Sequence, residues 1–177
     1  MADAKRSLYV CRPLINGNEV REWARTQGFK TALPAHDMHV TIVFSRDPVS
    51  WDVEGKPKSK LKIIGGRRSI HKFGDAIVLC FSSKTLSDRW RKFCDAGASW
   101  DHDGYKPHVT ISYSGNIDPD DIEPYRGALD FGQERFSEIK KDASNDIAET
   151  KIASAGSRAK RLFDAGRISE DQYKRLN

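Results

Sequence analysis

Sliding the chain against itself by 69 positions brings Cys11 onto Cys80, Gly28 onto Gly97, His39 onto His108, Val40 onto Val109, Thr41 onto Thr110, Ile42 onto Ile111 and Ser45 onto Ser114. Phe44 falls on Tyr113. A tetrapeptide can recur by chance. A constant offset through strand, helix, glycine stop and second strand is the mark of an internal repeat. The chain is therefore read as two related strand–helix–strand halves, about 7–46 and 76–115, facing each other across a pseudo-two-fold axis.

Local signals fill in each half. Leu8 to Cys11 reads as a short strand. A helix follows, with Asn16 as its cap and Glu19 three residues on. Val20, Trp23, Ala24 and Gln27 share one helical face, and Gly28 stops it. His39 to Phe44 is β-branched and reads as a strand. A hairpin is expected around Leu61 to Ile64. In the second half Ala76 to Phe81 is a buried strand, Thr85 to Ala96 a helix stopped by Gly97, and His108 to Tyr113 a strand. Ile117 to Tyr125 is loop with one helical turn, and Leu129 to Phe131 and Arg135 to Ile139 are final strands. The core domain is placed at 1–142, with a polar, Ala-rich helical extension over 143–177.

Strand side chains alternate between faces. Within each His-Val-Thr-Ile run, His and Thr point one way and Val and Ile the other. Val40, Ile42 and Phe44, with Val109, Ile111 and Tyr113, are assigned to packing. His39, Thr41, His108 and Thr110 are left facing a shared cleft. Imidazole titrates near neutrality, so a pair can hold one base and one acid at once. Threonine hydroxyls are short donors suited to phosphate oxygens. Two His and two Thr form a device for phosphodiester cleavage that needs neither metal nor cofactor.

His39-Val40-Thr41-Ile42 and His108-Val109-Thr110-Ile111 resemble the two HxT motifs of the 2H phosphoesterase superfamily, over about residues 7–140. The opening Leu8-Tyr9-Val10-Cys11-Arg12-Pro13, Asn16 and the run Trp23 to Phe29 are similar to the phage anti-CBASS phosphodiesterases. Those enzymes degrade the cyclic oligonucleotide messengers of a bacterial immune pathway. The resemblance implies an α+β, bilobal, pseudo-two-fold fold. Two antiparallel sheets line a central cleft, helices lie outside, and the C-terminal extension is appended. It implies a phosphodiesterase on 3′–5′ bonds of cyclic di- or oligonucleotides, with His39, Thr41, His108 and Thr110 catalytic. It further implies a substrate-binding Tyr, here Tyr9, and an acidic residue near the end of the core, Glu138 or the nearby Glu134. Where that family carries a Trp after Asp142, this chain has Ala143. Two other readings stand beside it: a 2H enzyme acting on RNA ends, and a nucleotide-binding sponge without turnover.

Residues 54–72 carry Lys56, Lys58, Lys60, Lys62, Arg67, Arg68 and Lys72 against Glu54 alone, a net of +6 that exceeds the whole-chain +5. This segment is either a phosphate-attracting rim with Trp51 at its edge or a solvated loop or hairpin. Tyr105 either lines the cleft or packs. His36 with His39, and Asp101-His102-Asp103, could be imagined as metal sites, but the expectation is no metal; His71 is assigned to the surface.

Composition closes off other classes. The longest apolar runs, such as Ala76 to Phe81, are too short to cross a bilayer. Met1 to Ser7 has no apolar signal core, and three cysteines without CxxC give no disulfide framework or zinc site. A cytosolic setting is expected, with no membrane association and no stable DNA binding.

Overall fold

The computed structural model describes residues 5–53, 57–113 and 117–139. The extension at 143–177, and Ala143 with it, lies outside the described residues. Strands β1 (Arg6–Pro13) and β2 (His39–Val49) and helix α1 (Gly17–Thr26) make the first half. Strands β5 (Ala76–Phe81) and β6 (His108–Ser112) and helix α2 (Lys84–Asp95) make the second. Four more strands complete the fold: β3 (Leu61–Ile63), β4 (Arg68–Phe73), β7 (Leu129–Phe131) and β8 (Arg135–Ser137). A single 3₁₀ turn at Pro119–Asp121 occupies the loop where one helical turn was expected.

The antiparallel ladder runs β4-β5-β6-β2-β1-β8. Its order is a palindrome in repeat terms. β6 and β2 are repeat mates, as are β5 and β1, and β4 and β8 occupy equivalent edges. The two antiparallel lobes meet at one residue pair, Val40 opposite Val109. Beside this short junction lies a cavity lined by residues of both halves, His39 and Thr110 among them. The other face of the sheet is apolar. Leu8, Val10, Val40, Ile77, Leu79, Val109 and Ile111 pack there with Val20 and Ala24 of α1 and Leu86 and Phe93 of α2. Each of these side chains other than Ala24 contributes about 1.5–3 kcal/mol of burial.

The helix signals hold with one exception. Gly28 and Gly97 take positive φ, +86° and +97°, which glycine adopts without a Cβ penalty. Ser83 caps α2 by accepting from the Leu86 N–H. Asn16, however, does not cap α1 with its side chain. Its amide donates to the Ala128 carbonyl, and its oxygen accepts from the Asp130 N–H, so it pins β7 to the start of α1.

Two expectations about strands are corrected. Leu61–Ile63 does not form a local hairpin; it pairs with β7, far along the chain. The hairpin lies just after it, between β4 and β5, turning at Gly74 with φ +59°. β4 therefore takes part of the basic segment into the sheet and buries Arg68 at 5% exposure. Lys62 pairs with Asp130 at 3.6 Å. The segment is thus no uniform basic rim; Glu54 and Lys56 lie outside the described residues.

The packing assignments of Phe44 and Tyr113 are also corrected. Ile42 has no partner in the β1 register, which steps from Thr41 to Val43. Ile111 is skipped likewise in the β5 register. A bulge inserts one residue and reverses the alternation beyond it. Val43 and Ser112 are buried in consequence. Phe44 turns to the cleft face beside Tyr9, with ring centroids 6.0 Å apart. Tyr113 is left 44% exposed. The bulged residues Ile42 and Ile111 are repeat mates, so the internal symmetry extends to this irregularity.

Candidate active site

The register at the junction decides which groups meet. Val40 lies opposite Val109 in an antiparallel pair, and that register, continued one residue either way, directs His39 toward Thr110 and Thr41 toward His108. Each histidine therefore faces the threonine of the other half. His39 and Thr110 together line one cavity of about 360 Å³.

Both imidazoles are oriented by the same device. His39 Nδ1 lies 2.7 Å from the Asp37 carbonyl and His108 Nδ1 lies 2.8 Å from the Lys106 carbonyl. Asp37 and Lys106 are themselves 69 positions apart. A carbonyl only accepts, so Nδ1 carries the proton in both rings and Nε2 is left for chemistry. Burial holds the His108 pKa below the ordinary imidazole value, and nearby His39 and His102 add to the effect; the Lys106 carbonyl opposes it. The edge of Phe73 lies against His108 at 5.2 Å between centroids.

Tyr9 stands beside the first pair. Its ring meets His39 edge-on at 6.3 Å, and its hydroxyl lies 3.3 Å from Thr41 Oγ1. Burial raises its pKa well above the ordinary phenol value, so it stays a neutral hydroxyl. Tyr105 holds the same threonine from the other side, donating to the Thr41 carbonyl at 2.8 Å. Its ring stacks on Trp90 at 5.5 Å, with the planes 10° apart. Burial raises its pKa too. Of the two readings open for Tyr105, packing describes most of its ring, while its edge reaches a second cavity.

The remaining sequence candidates are not gathered here. Trp51 lies past the far end of β2, where its indole donates to the Ser7 carbonyl and the Arg6 guanidinium sits 4.0 Å over its ring. Ten residues of strand separate His39 from Val49, roughly 30 Å at strand rise. Glu138 follows β8 at an exposed position and lines neither cavity described. Glu134 is committed elsewhere. Its side chain is 1% exposed and is bound by Arg89 at 3.0 Å and Arg12 at 3.5 Å. Among the described residues, no three His, Cys, Asp or Glu side chains converge as a metal site. His36 is exposed beside Asp37, and His102 packs against Trp100.

The structure adds residues that sequence reading passed over. Arg135 and Tyr113 line the first cavity with Cys11, beside which Arg135 is registered. Cys80 is registered beside His108 and lines the second cavity, where burial pushes its thiol pKa up to about 11. Phe73 had little sequence signal, since Ile70 and Phe73 are three apart in Arg68–Phe73 and break the strand period of two.

Comparison with known proteins places the chain in a family. The family model described as "Anti-CBASS protein Acb1" matches residues 6–146. A protein of that description from Caulobacter sp. (strain RHG1) is 47% identical over 157 residues, covering 84% of this chain and 25% of that protein. The chain thus spans about a quarter of that relative. The anti-CBASS protein Acb1 of Escherichia phage RB16 is 32% identical over 124 residues, 70% of each chain. Among solved structures, E. coli LigT complexed with NADP+ aligns with a TM-score of 0.50 at 13% identity, covering 78% of this chain and 96% of that one. That likeness bears on the fold alone. Among the described residues no helix is long and apolar enough to cross a membrane. With the match spanning most of the chain, and both HxT motifs lying within it, this chain belongs to the anti-CBASS protein Acb1 family.

Proposed function

We propose that this chain is a phosphodiesterase that opens 3′–5′ bonds of cyclic di- or oligonucleotide immune messengers, and so counters CBASS defence. The observation that carries the reading is the matched pair of imidazoles. Each has Nδ1 held by a carbonyl two residues earlier and Nε2 left for the cleft. Family membership supports the choice of substrate.

In the proposed reaction, Nε2 of one neutral imidazole takes the proton of a ribose 2′-OH. The 2′-oxygen attacks the adjacent 3′-phosphorus, and the P–O5′ bond breaks. The other imidazole, protonated, gives its Nε2 proton to the departing 5′-oxygen. A 2′,3′-cyclic phosphate and a free 5′-OH result. Burial favours neutral His108, which suits it to the base role. Thr41 and Thr110 donate to the non-bridging oxygens, where charge builds in the transition state. Tyr9 and Tyr105 fix Thr41 from two sides. The residues supply both proton transfers, so the reaction is expected to run in EDTA.

The test is incubation with a panel of cyclic di- and trinucleotides in EDTA, with His39→Ala as control. Chromatography should show linear products from the unmodified chain only. Cleavage confined to linear RNA ends, or equal cleavage of deoxy substrates, would overturn the reading.

A further inference from the structure

A second hollow adjoins His108 through Phe73 and Cys80, and none of the four HxT residues lines it. It begins at Phe73 and Cys80 beside His108, and encloses about 590 Å³ against about 360 Å³ for the hollow beside His39. The two are related by the fold's own symmetry. Cys11 lines the first and its repeat mate Cys80 lines the second. Each is flanked by an edge strand, β8 for the first and β4 for the second.

The two hollows differ in charge. The first carries Arg135 with Asp37 in its lining. The second carries Arg67, Lys84 and Lys106, with no carboxylate in its lining. The Lys84 ammonium is occupied by Asp88 on the same helix. Arg67 and Lys106 are exposed side chains at this hollow. Phe73 is 40% exposed and adds apolar surface to the lining of this hollow. Its ring is stacked with His71 on one side and set edge-on to His108 on the other.

We infer that this second hollow holds the nucleotide on the far side of the scissile bond, with Arg67 and Lys106 binding the second, uncleaved phosphodiester of a cyclic dinucleotide. The inference rests on the cyclic-nucleotide reading above and specifies how the ligand lies. A phosphate held between the histidines has one nucleoside on either side. In a cyclic dinucleotide those nucleosides are related by a two-fold of their own and are joined again by a second phosphodiester. A pseudo-two-fold site with a hollow beside each histidine matches that shape. The lining's excess of cationic over anionic side chains is larger in this hollow, and there it meets the one remaining anion of the ligand. Phe73 supplies apolar surface for the base.

The test compares matched pairs that differ only in the second phosphodiester: each cyclic dinucleotide of A and G, and the linear 3′–5′ dinucleoside monophosphate with the same bases. Affinity is measured by calorimetry in a His39→Ala background, so that binding is read without turnover. Adding Arg67→Ala with Lys106→Ala should weaken the cyclic ligand about 10–100-fold and the linear one less than about threefold, because charge-assisted contacts to one phosphate are lost. Equal weakening of both ligands, no weakening of either, or no binding of any cyclic dinucleotide would overturn the inference. Cleavage by the unmodified chain tests the other reading separately. Binding that depends on Arg67 and Lys106, without any cleavage, would sink the enzymatic reading and leave this subsite standing.

Discussion

The Tyr105 hydroxyl donates to the Thr41 carbonyl at 2.8 Å, a bond from the second half of the repeat to the first. It reaches β2 next to the single-pair junction, where the β2–β6 ladder has given out. Tyr105→Phe keeps the stack on Trp90 and leaves that carbonyl short of a donor. The cost should be about 1–3 kcal/mol, a fall in Tm of a few degrees by calorimetry. Because the bond positions Thr41, kcat should fall several-fold with KM little changed. An unchanged kcat would reduce Tyr105 to a packing residue.

The crossed register makes a prediction about pairs. The register directs His39 toward Thr110, and His108 toward Thr41. His39→Ala or His108→Ala should each lower kcat by roughly 10²–10⁴-fold. In double-mutant cycles on kcat/KM, His39 should couple more strongly to Thr110 than to Thr41, the residue two places along its own strand. Stronger coupling within each strand would contradict the register.

Burial lowers the His108 pKa, so the folded state binds fewer protons at this site than the unfolded state does. The sign follows from linkage. The contribution of His108 to stability is fully present above the unfolded value of about 6.5. It is lost as pH falls through the lower folded-state value. His39, His102 and Lys106 are the neighbouring groups that set this environment. NMR titration should place the His108 midpoint below that of a free imidazole. His108→Asn should flatten the fall in Tm between pH 7 and pH 5. A midpoint above the free value would show that the cleft favours the charged ring.

Glu134 joins Arg89 and Arg12, while Arg12 also donates to the Ser59 and Gly132 carbonyls and Arg89 to the Val53 carbonyl. One carboxylate thus organises β1, α2 and the chain entering β8. Glu134→Gln leaves two guanidiniums against an uncharged amide and should cost about 3–5 kcal/mol in urea unfolding. Destabilisation below about 1 kcal/mol would mean that the cluster is solvated.

Trp51 separates stability from chemistry. Trp51→Ala removes packing against Phe136 and the contact with Arg6, and should cost about 2–3 kcal/mol. kcat/KM, measured well below the melting temperature, should stay within about twofold. A selective rise in KM would place Trp51 at the substrate after all.

How much of this was legible beforehand depends on the range of the interaction involved. The repeat, both helices, the glycine stops and the four HxT residues follow from local periodicity and a constant offset, properties a linear string carries in full. The same string misassigned Phe44 and Tyr113, because a bulge at Ile42 and Ile111 reverses the alternation and neither residue type announces it. It also paired Leu61–Ile63 locally, whereas the partner is β7. Strand partners are chosen by packing, not by proximity in the chain.

The sequence by itself determined that, within each motif, the imidazole and the threonine would lie on one strand face, because the strand period is two residues. Only the tertiary structure decided which histidine faces which threonine. It also committed Glu134 to an ion network, kept Trp51 remote, and brought Arg67, Phe73 and Lys106 to one hollow beside His108. Those outcomes depend on the register of strands distant in sequence, and the register is set by burial of the opposite face of the sheet.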